Sequence, residues 1–305
     1  MTVTEAYGLS PSAARLVHPG PVAETRVVSL ETRLNGFDVA LPAGTPLLEA
    51  LEWLLDETGC VSANGQLVGG ELARFSYYIP DVGPAGGPVA NFSRPYAGSA
   101  PGWMVRGGIT IGRRDGRVWC HSHSLFVDAE GSERAGHLIP DEVVLGDGVR
   151  AQVWGGPDVL NEVQLDPETQ MPLFTPRRVA HAGTGKVRAL VCRVRPNVDL
   201  VRTIEILTEQ QGWAGAHVRG QVGSLIGGQL AQPGGTVLSA AGPATEVMFL
   251  EGTVRRVDGR MTATLDAHLV DRNATVFSGR VIPGENPVAM TYELVLTEAT
   301  PEDPP

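Results

Sequence analysis

The sequence lacks the features that place a protein in a membrane or outside the cell. No apolar run approaches the roughly 18 to 20 residues that a membrane-spanning helix needs. The first residues, MTVTEAYG, have neither the basic region nor the apolar region of a secretory signal. We therefore predict a cytoplasmic protein without a membrane partner.

Cysteine is scarce, and positive charge is in deficit. The three cysteines, Cys60, Cys120 and Cys192, are an odd number without CxxC spacing, so we expect buried thiols rather than disulfides or a zinc ribbon. Lys and Arg number 24 against 34 Asp and Glu, which gives a formal net charge of -10. Because Lys and Arg supply non-specific affinity for phosphates, this balance disfavours a general nucleic-acid role. The most basic stretch, from Pro176 to Arg188, is rich in glycine and is more typical of a solvated linker.

Turn-forming residues are abundant, with 38 glycines and 23 prolines in 305 residues, and they favour short strands over a helical bundle. The length predicts two domains. A strand, an amphipathic helix and a glycine-rich segment occur near residues 37–70, and the same order returns near residues 190–223. Residues 115–140 also align without a gap on residues 258–283, so the sequence indicates an internal duplication.

Three histidines form the main candidate site. Successive side chains of a strand point to opposite faces, so His121 and His123 share a face of the predicted strand around them. The turn-like segment 128–132 allows the chain to fold back as a hairpin, which would bring His137 beside the pair. Three imidazoles with an open fourth position are the ligand set of a catalytic zinc ion. The alternatives are a half-exposed polar face or hydrogen-bonded core histidines.

The duplication predicts that only the first copy holds this site. In the aligned register, Thr264, Asp266 and Arg280 stand where the first copy has the three histidines. His268 falls opposite Leu125, out of register, and we interpret it as a packing or hydrogen-bonded histidine.

Three segments of the second copy resemble a known family. They are VRGQVGSL at 218–225, GPATEVMFLEG at 242–252 and TYELVL at 291–296, and they are similar to the plants-and-prokaryotes conserved (PPC) domain. That resemblance implies an α+β fold, with two tandem PPC-like domains that each have a curved, mainly antiparallel sheet and one main helix. It also implies self-association, usually as a trimer, and an association with DNA regulation.

The predicted boundaries follow from the duplication and the resemblance. We expect an N-terminal arm at 1–35, a first PPC-like domain with the histidine site at 36–175 and a linker at 176–186. A second PPC-like domain without these ligands would occupy 187–298, followed by a tail at 299–305.

The segments His121-Ser-His123 and Ala135-Gly-His137-Leu138 also resemble the zinc site of acetolactate decarboxylase. This likeness implies zinc, or another divalent transition metal, and a small oxygenated carboxylic acid as substrate, turned over by a decarboxylase, lyase or hydrolase reaction. Glu71 would act as acid or base and Arg106 would hold the substrate carboxylate, although both side chains also suit an ordinary surface role. We expect residues of a long insert to line the pocket: Tyr77, Tyr78, Asn91, Arg94 and Tyr96.

Two other functions stay open. The first is a DNA-binding or regulatory binding module, which is the usual role of the PPC family. The second is a non-catalytic scaffold whose purpose is oligomerisation.

Overall fold

The structure, a computed structural model, describes residues 9–181 and 183–300. Within these residues the first half of the chain has fourteen strands: β1 (Val27–Ala40), β2 (Ser62–Val68), β3 (Glu71–Arg74), β4 (Ser76–Tyr78), β5 (Pro80–Val82), β6 (Ala90–Phe92), β7 (Tyr96–Ala97), β8 (Gly102–Arg114), β9 (Arg117–Val127), β10 (Glu133–Leu138), β11 (Val144–Leu145), β12 (Arg150–Gly156), β13 (Val159–Leu165) and β14 (Pro172–Arg178). The second half has eight: β15 (Val187–Val194), β16 (Gly215–Leu225), β17 (Gln229–Ala231), β18 (Val237–Ser239), β19 (Thr245–Val257), β20 (Arg260–Val270), β21 (Val276–Val281) and β22 (Val288–Glu298).

One α-helix lies in each half, α1 (Leu47–Thr58) in the first and α2 (Leu200–Gln210) in the second, and a 3₁₀ turn covers Pro140–Glu142. Each helix buries an apolar stripe in the main core of its own half. The Asp199 side chain accepts a hydrogen bond from the backbone of Arg202 at the start of α2. Thr45 does not cap α1, because Pro46 occupies the N-cap position there.

The two halves repeat one antiparallel strand order, which confirms the α+β fold. Hydrogen-bonded neighbours run β12–β2–β8–β9–β10 in the first half and β22–β16–β19–β20–β21 in the second. The residue spacing between β8, β9 and β10 is the same as that between β19, β20 and β21. The duplication inferred from the sequence is therefore present in the backbone.

Strand β1 belongs to both halves. Its first part, from Val27 to Leu34, pairs with β15, whereas its second part, from Asn35 to Ala40, pairs with β12. Residues 27–35, which fall inside the expected N-terminal arm, thus belong to a strand. The prolines of this segment stop at Pro21. The segment VVSL at 27–30 has aliphatic and β-branched residues that suit a strand.

The other predicted boundaries stay predictions. Strand β14 continues to Arg178, inside the expected linker, and β22 ends at Glu298. Residues 1–8, 182 and 301–305, which belong to the expected arm, linker and tail, lie outside the described residues. In the part of the chain that the structure describes, no helix is long and apolar enough to cross a membrane.

The two halves pack in direct contact along β8 and β16. A Cβ added to Gly108 would lie 2.1 Å from the carbonyl oxygen of Gln221, and one added to Gly220 would lie 2.6 Å from Cβ of Asn64. Any larger residue at either position would push the strands apart. The glycines therefore bring β8, and β9 beside it, against the second half.

A hairpin of the first half also holds the second half by buried ion pairs. The carboxylate of Asp166, at the end of β13, lies 2.7 Å from the guanidinium of Arg193 and also contacts Arg195, both on the second half. Glu168, in the same turn, lies 2.6 Å from Arg26 just before β1, and Arg26 also donates to the carbonyl oxygen of Pro196 in the second half. These contacts fix the relative position of the two halves around the histidines.

Candidate metal centre

The three histidines meet on neighbouring strands. His121 and His123 lie on β9, and the predicted turn folds β10 back so that His137 pairs directly with His123 in the antiparallel register. One ring nitrogen from each residue lies within 4.8 Å of the other two. The predicted hairpin is confirmed, and it brings the three imidazoles together.

The spacing of these nitrogens is close to that of a metal site. In a tetrahedral zinc site with Zn–N bonds of about 2.0–2.1 Å, neighbouring nitrogens are about 3.3 Å apart. The Nε2 atoms of His121 and His123 are 3.0 Å apart. Each of these nitrogens lies within 4.8 Å of the third, so the rings would have to approach by up to about 1.5 Å to reach a tetrahedral spacing.

The opposite nitrogens of two rings are held by the second half of the chain. Nδ1 of His121 lies 3.0 Å from both carboxylate oxygens of Glu293 on β22, and Nδ1 of His123 lies 3.3 Å from the carbonyl oxygen of Val247 on β19. If each Nδ1–H donates to these acceptors, the lone pair of Nε2 faces the centre of the cluster. This is the arrangement that orients metal-binding histidines in general.

The protonation state of two rings suits ligation. Burial, with the nearby His121 ring, lowers the pKa of His123 and that of His137 well below the usual value. Both imidazoles are therefore neutral near pH 7, which is the form that binds a metal.

Two polar atoms beside the cluster have no hydrogen-bond partner among the described residues. They are Nδ1 of His137 and Oε2 of Glu246, and both are buried. Oε1 of Glu246 lies 3.7 Å from Nε2 of His123, and burial raises the pKa of this carboxyl group well above its usual value. Buried polar atoms normally have partners, and a cation held by the histidines would be a partner for these two. The residues present fit a divalent metal ion.

The cluster opens on a cavity of about 390 Å³. The cavity is lined by His121 and His137, by Glu293 and by charged residues at its rim, and mostly by apolar and aromatic side chains: Tyr78, Phe92, Trp119, Val163, Met171, Leu173 and Phe174. Such a mixture of apolar walls and a few polar groups is typical of a small-molecule site.

The insert predicted to line the pocket contributes only in part. Tyr78 lines this cavity, and Asn91 lines a smaller one that contains His121 and His123. Phe92, which the sequence did not single out, packs on His137 with ring centroids 4.5 Å apart. Tyr77 and Tyr96 stack on each other instead, and Arg94 lies near the ring of Tyr96.

The two residues predicted as catalytic, Glu71 and Arg106, lie away from the three histidines. Glu71, on β3, packs against Gly146, and neither cavity beside the histidines includes it. Arg106, on β8, donates to Gln66 and to Glu251 at 2.6 Å and lies over the ring of Phe249. It lines a separate cavity between the two halves. The structure does not place either residue with the three histidines, and their catalytic roles stay predictions.

Sequence reasoning missed the acids Glu246 and Glu293. Both stand inside the segments that carry the family resemblance, at 242–252 and 291–296, but no local pattern connects them to histidines in the other copy. The three cysteines, by contrast, are buried free thiols as expected.

Comparison with known proteins finds a family model that matches the second half. Residues 181–300 match the sequence model of the Plants and Prokaryotes Conserved (PCC) domain, the family abbreviated PPC above. The second half of the chain resembles this domain and is called the PPC domain for that reason. No curated protein matches the sequence.

Several solved structures resemble parts of the chain. A PPC protein from Pyrococcus horikoshii is 21% identical over 39% of this chain and 86% of its own, with a TM-score of 0.35. A putative DNA-binding protein from Ralstonia eutropha JMP134 is 21% identical over 45% and 89%, with a TM-score of 0.36. A metal-containing protein from Archaeoglobus fulgidus is 19% identical over 46% and 93%, with a TM-score of 0.38.

The PPC domain has no histidines at the equivalent positions. Asp266 stands opposite Arg280 in the pairing of β20 with β21, and Arg280 donates to both carboxylate oxygens at 2.8 and 3.0 Å. Both side chains are about half exposed. The PPC domain thus contributes acids to the site of the other half while its own equivalent face holds a surface ion pair.

Proposed function

We propose that the protein is a metal-dependent enzyme, with zinc or another divalent transition metal bound by His121, His123 and His137. The observation that carries this proposal is the convergence of three imidazoles, two of them held by acceptors of the second half, beside a cavity. Imidazole suits zinc, copper, iron and nickel, so the ligand set does not select among them. We propose a small oxygenated carboxylic acid as substrate and a decarboxylase-like, lyase or hydrolase reaction.

The cavity supports this class of substrate. A divalent ion held by the histidines would polarise a carbonyl group or lower the pKa of a bound water to about 7. The aromatic and aliphatic walls would exclude water from a small organic body. Arg114, at the rim, lies over the Trp119 ring with its guanidinium carbon 5.2 Å from the centroid, where it is placed to attract a carboxylate.

A further part of the proposal is the residue that acts as acid or base in the reaction. Glu71 remains the candidate from the sequence, with Arg106 as the partner of a substrate carboxylate, although both lie away from the cavity. For any substrate that is found, Glu71→Gln with unchanged turnover would remove this role. The same test applied to Arg114→Gln and Arg106→Gln would show which guanidinium binds substrate, through an increase in KM.

The deciding experiment measures the metal content of the untagged protein beside its His121→Ala and His123→Ala variants. Thr264→Ala is the matched control, since it changes the equivalent exposed position of the PPC domain. We expect about one metal per chain in the wild type and the control, and none in the histidine variants with an unchanged circular dichroism spectrum. Small keto and hydroxy acids would then be screened. No metal in any sample after zinc is offered would overturn the proposal.

A second candidate is a DNA-binding or regulatory module, which the PPC match favours. The Ralstonia eutropha protein named above is called a putative DNA-binding protein. The net charge of -10 argues against general affinity for phosphates. A gel shift at low salt that weakens as salt rises would support this function, and an unshifted probe would exclude it at the concentrations used.

A third candidate is an oligomeric scaffold. Self-association as a trimer is the assembly that the PPC resemblance implies. Light scattering would then give a mass near three times the 32.3 kDa of one chain. A mass of one chain would remove this assembly.

A further inference from the structure

We propose that Glu246 of the PPC domain is the fourth ligand of the metal centre, so that the bound ion joins the two halves of the chain. This inference rests on the proposed function, because it assumes that the three histidines hold a metal. It adds a ligand that belongs to the other half and that no local pattern in the sequence connects to the histidines.

The position of the carboxylate supports the assignment. Oε1 of Glu246 lies 3.7 Å from Nε2 of His123, the nitrogen that faces the centre of the cluster. With metal–ligand bonds of about 2.0–2.2 Å, an oxygen and a nitrogen on one tetrahedral ion are about 3.3 Å apart. Relative to this nitrogen, the carboxylate oxygen is within a few tenths of an ångström of that spacing.

The surroundings of Glu246 give a second, independent reason. The side chain is buried, and Oε2 has no hydrogen-bond partner among the described residues. The other acids near the interface are satisfied, since Glu293 accepts from His121 and Asp166 pairs with Arg193. A buried carboxylate is stable only when a cation or several donors compensate it. A metal ion at the three histidines is the compensation that the site offers.

The adjacent residue shows that β19 is built around His123. The carbonyl oxygen of Val247 accepts from Nδ1 of this ring, while the carboxylate of Glu246 stands beside Nε2 on the other edge. Two consecutive residues of the PPC domain thus contact both nitrogens of one histidine from the first half. One contact orients the ring and the other contributes a donor to the ion.

Two consequences follow for the centre. The ion would have all four ligands only when the halves are docked. Metal binding would therefore stabilise the interface between them. The centre would be closed by four protein ligands at rest. Substrate binding would then require Glu246 to share the ion or to move away from it.

The test compares Glu246→Gln with Glu251→Gln in the full-length chain. Gln is isosteric with Glu and neutral, and Glu251 lies on the same strand but is 53% exposed, so the second variant controls for the loss of one negative charge. Zinc affinity is measured by competition with a chelating dye, and thermal unfolding is recorded with and without zinc. We expect zinc to bind at least about 10-fold more weakly to Glu246→Gln, which is the smallest loss seen for outer-shell partners, and normally to Glu251→Gln.

The thermal data separate a ligand from a structural residue. Without zinc, Glu246→Gln should unfold at the same temperature as the wild type or higher, because an uncompensated buried carboxyl is gone. Addition of zinc should raise the unfolding temperature of Glu246→Gln by less than it raises that of the wild type. A residue with only a packing role would shift both temperatures in the same direction.

Failure of this inference is distinct from failure of the proposed function. Wild-type affinity in Glu246→Gln would overturn the fourth ligand while the histidine site stands. Absence of zinc binding in the wild type would remove the proposed function first. Should Glu246→Gln fail to fold, Glu246→Asp retracts the carboxylate by one methylene, and unchanged zinc affinity in that variant would also overturn the inference.

Discussion

The two halves of the chain have the same strand order, but the same position in each half holds different chemistry. His123 faces His137 across β9 and β10, and Asp266 faces Arg280 across β20 and β21. The first face is covered by the other half, whereas the second is open to solvent. The two copies therefore differ in burial. Water can hydrogen-bond to the exposed ion pair, whereas the covered imidazoles need hydrogen-bond partners within the protein.

The comparison also shows a division of labour. The first half provides the three candidate ligands, and the PPC domain provides the groups behind and beside them, namely Glu293, Val247 and Glu246. Neither half holds a complete site by itself. A duplicated chain can thus keep one site by using one copy for ligands and the other for support.

We expect the largest effect from a substitution that weakens the contact between the two halves. Asp166→Asn leaves Arg193 and Arg195 beside a neutral amide in a buried position, which should lower the free energy of unfolding by about 3–5 kcal/mol. Urea unfolding at pH 7 measures this change in free energy. The matched control is Asp38→Asn, whose half-exposed ion pair with Arg150 should cost less than about 1 kcal/mol. Equal effects in the two variants would show that the ion pair does not hold the halves together.

The same carboxylate predicts acid sensitivity. Burial opposes its charge, but Arg193, Arg195 and the backbone of Thr169 outweigh burial and hold the pKa of Asp166 well below its usual range. Its contribution to stability is therefore complete above the unfolded pKa of about 3.9 and is lost as pH falls toward the folded value. As pH falls from about 5 to about 2, unfolding midpoints should fall more steeply for the wild type than for Asp166→Asn.

A graft tests whether the outer partners matter. Replacing Thr264, Asp266 and Arg280 with histidine in a His121→Ala, His123→Ala background places the ligands on the exposed face of the PPC domain. Each missing outer-shell partner costs about 10–100-fold in affinity, so the grafted site should bind zinc at least about 100-fold more weakly than the native site. Zinc titration measures this. Equal affinity would mean that the support from the other half is irrelevant.

Removing one outer partner should have a smaller effect. Glu293→Gln takes away the carboxylate behind His121, and we expect zinc affinity to fall by about 10–100-fold. Glu298→Gln is the control, because that residue lies at the end of the same strand and pairs with Arg188 at the surface. The prediction fails if the two variants bind zinc equally well.

The smallest effect is expected at the surface ion pair of the PPC domain. Asp266→Ala or Arg280→Ala should change the free energy of unfolding by about 0.2–1 kcal/mol, since exposed pairs contribute little. A double-mutant cycle with both substitutions gives the coupling energy, and high salt should reduce it. A coupling well above 1 kcal/mol would indicate that another chain or ligand covers this face.

The local parts of the site were predictable from the sequence. Alternation along β9 places His121 and His123 on one face, and a glycine-containing turn returns the chain so that His137 joins them. Each step spans fewer than twenty residues and depends on backbone geometry that short patterns encode. The equal spacing of the two copies likewise predicted the shared strand order.

The long-range parts were not predictable. Glu293 lies 172 residues after His121, and Val247 lies 124 residues after His123. Their contacts depend on how the halves dock, which is set by the close approach at Gly108 and by the buried pairs of Asp166. Conversely, the prediction for Glu71 and Arg106 rests on residue type and a distant resemblance, and the docking places both side chains away from the three histidines.

The shared strand β1 also affects how the chain folds during synthesis. Val27 pairs with Val194 and Leu34 pairs with Val187, so the partner strand is made more than 150 residues later. At about 5–20 residues per second, the first part of β1 waits roughly 8 to 30 s on the ribosome for its neighbour. During that time it presents an open strand edge, the kind of surface that chaperones cover and that invites aggregation. Mutations that slow folding should therefore lower the yield in cells before they change the stability of the finished protein.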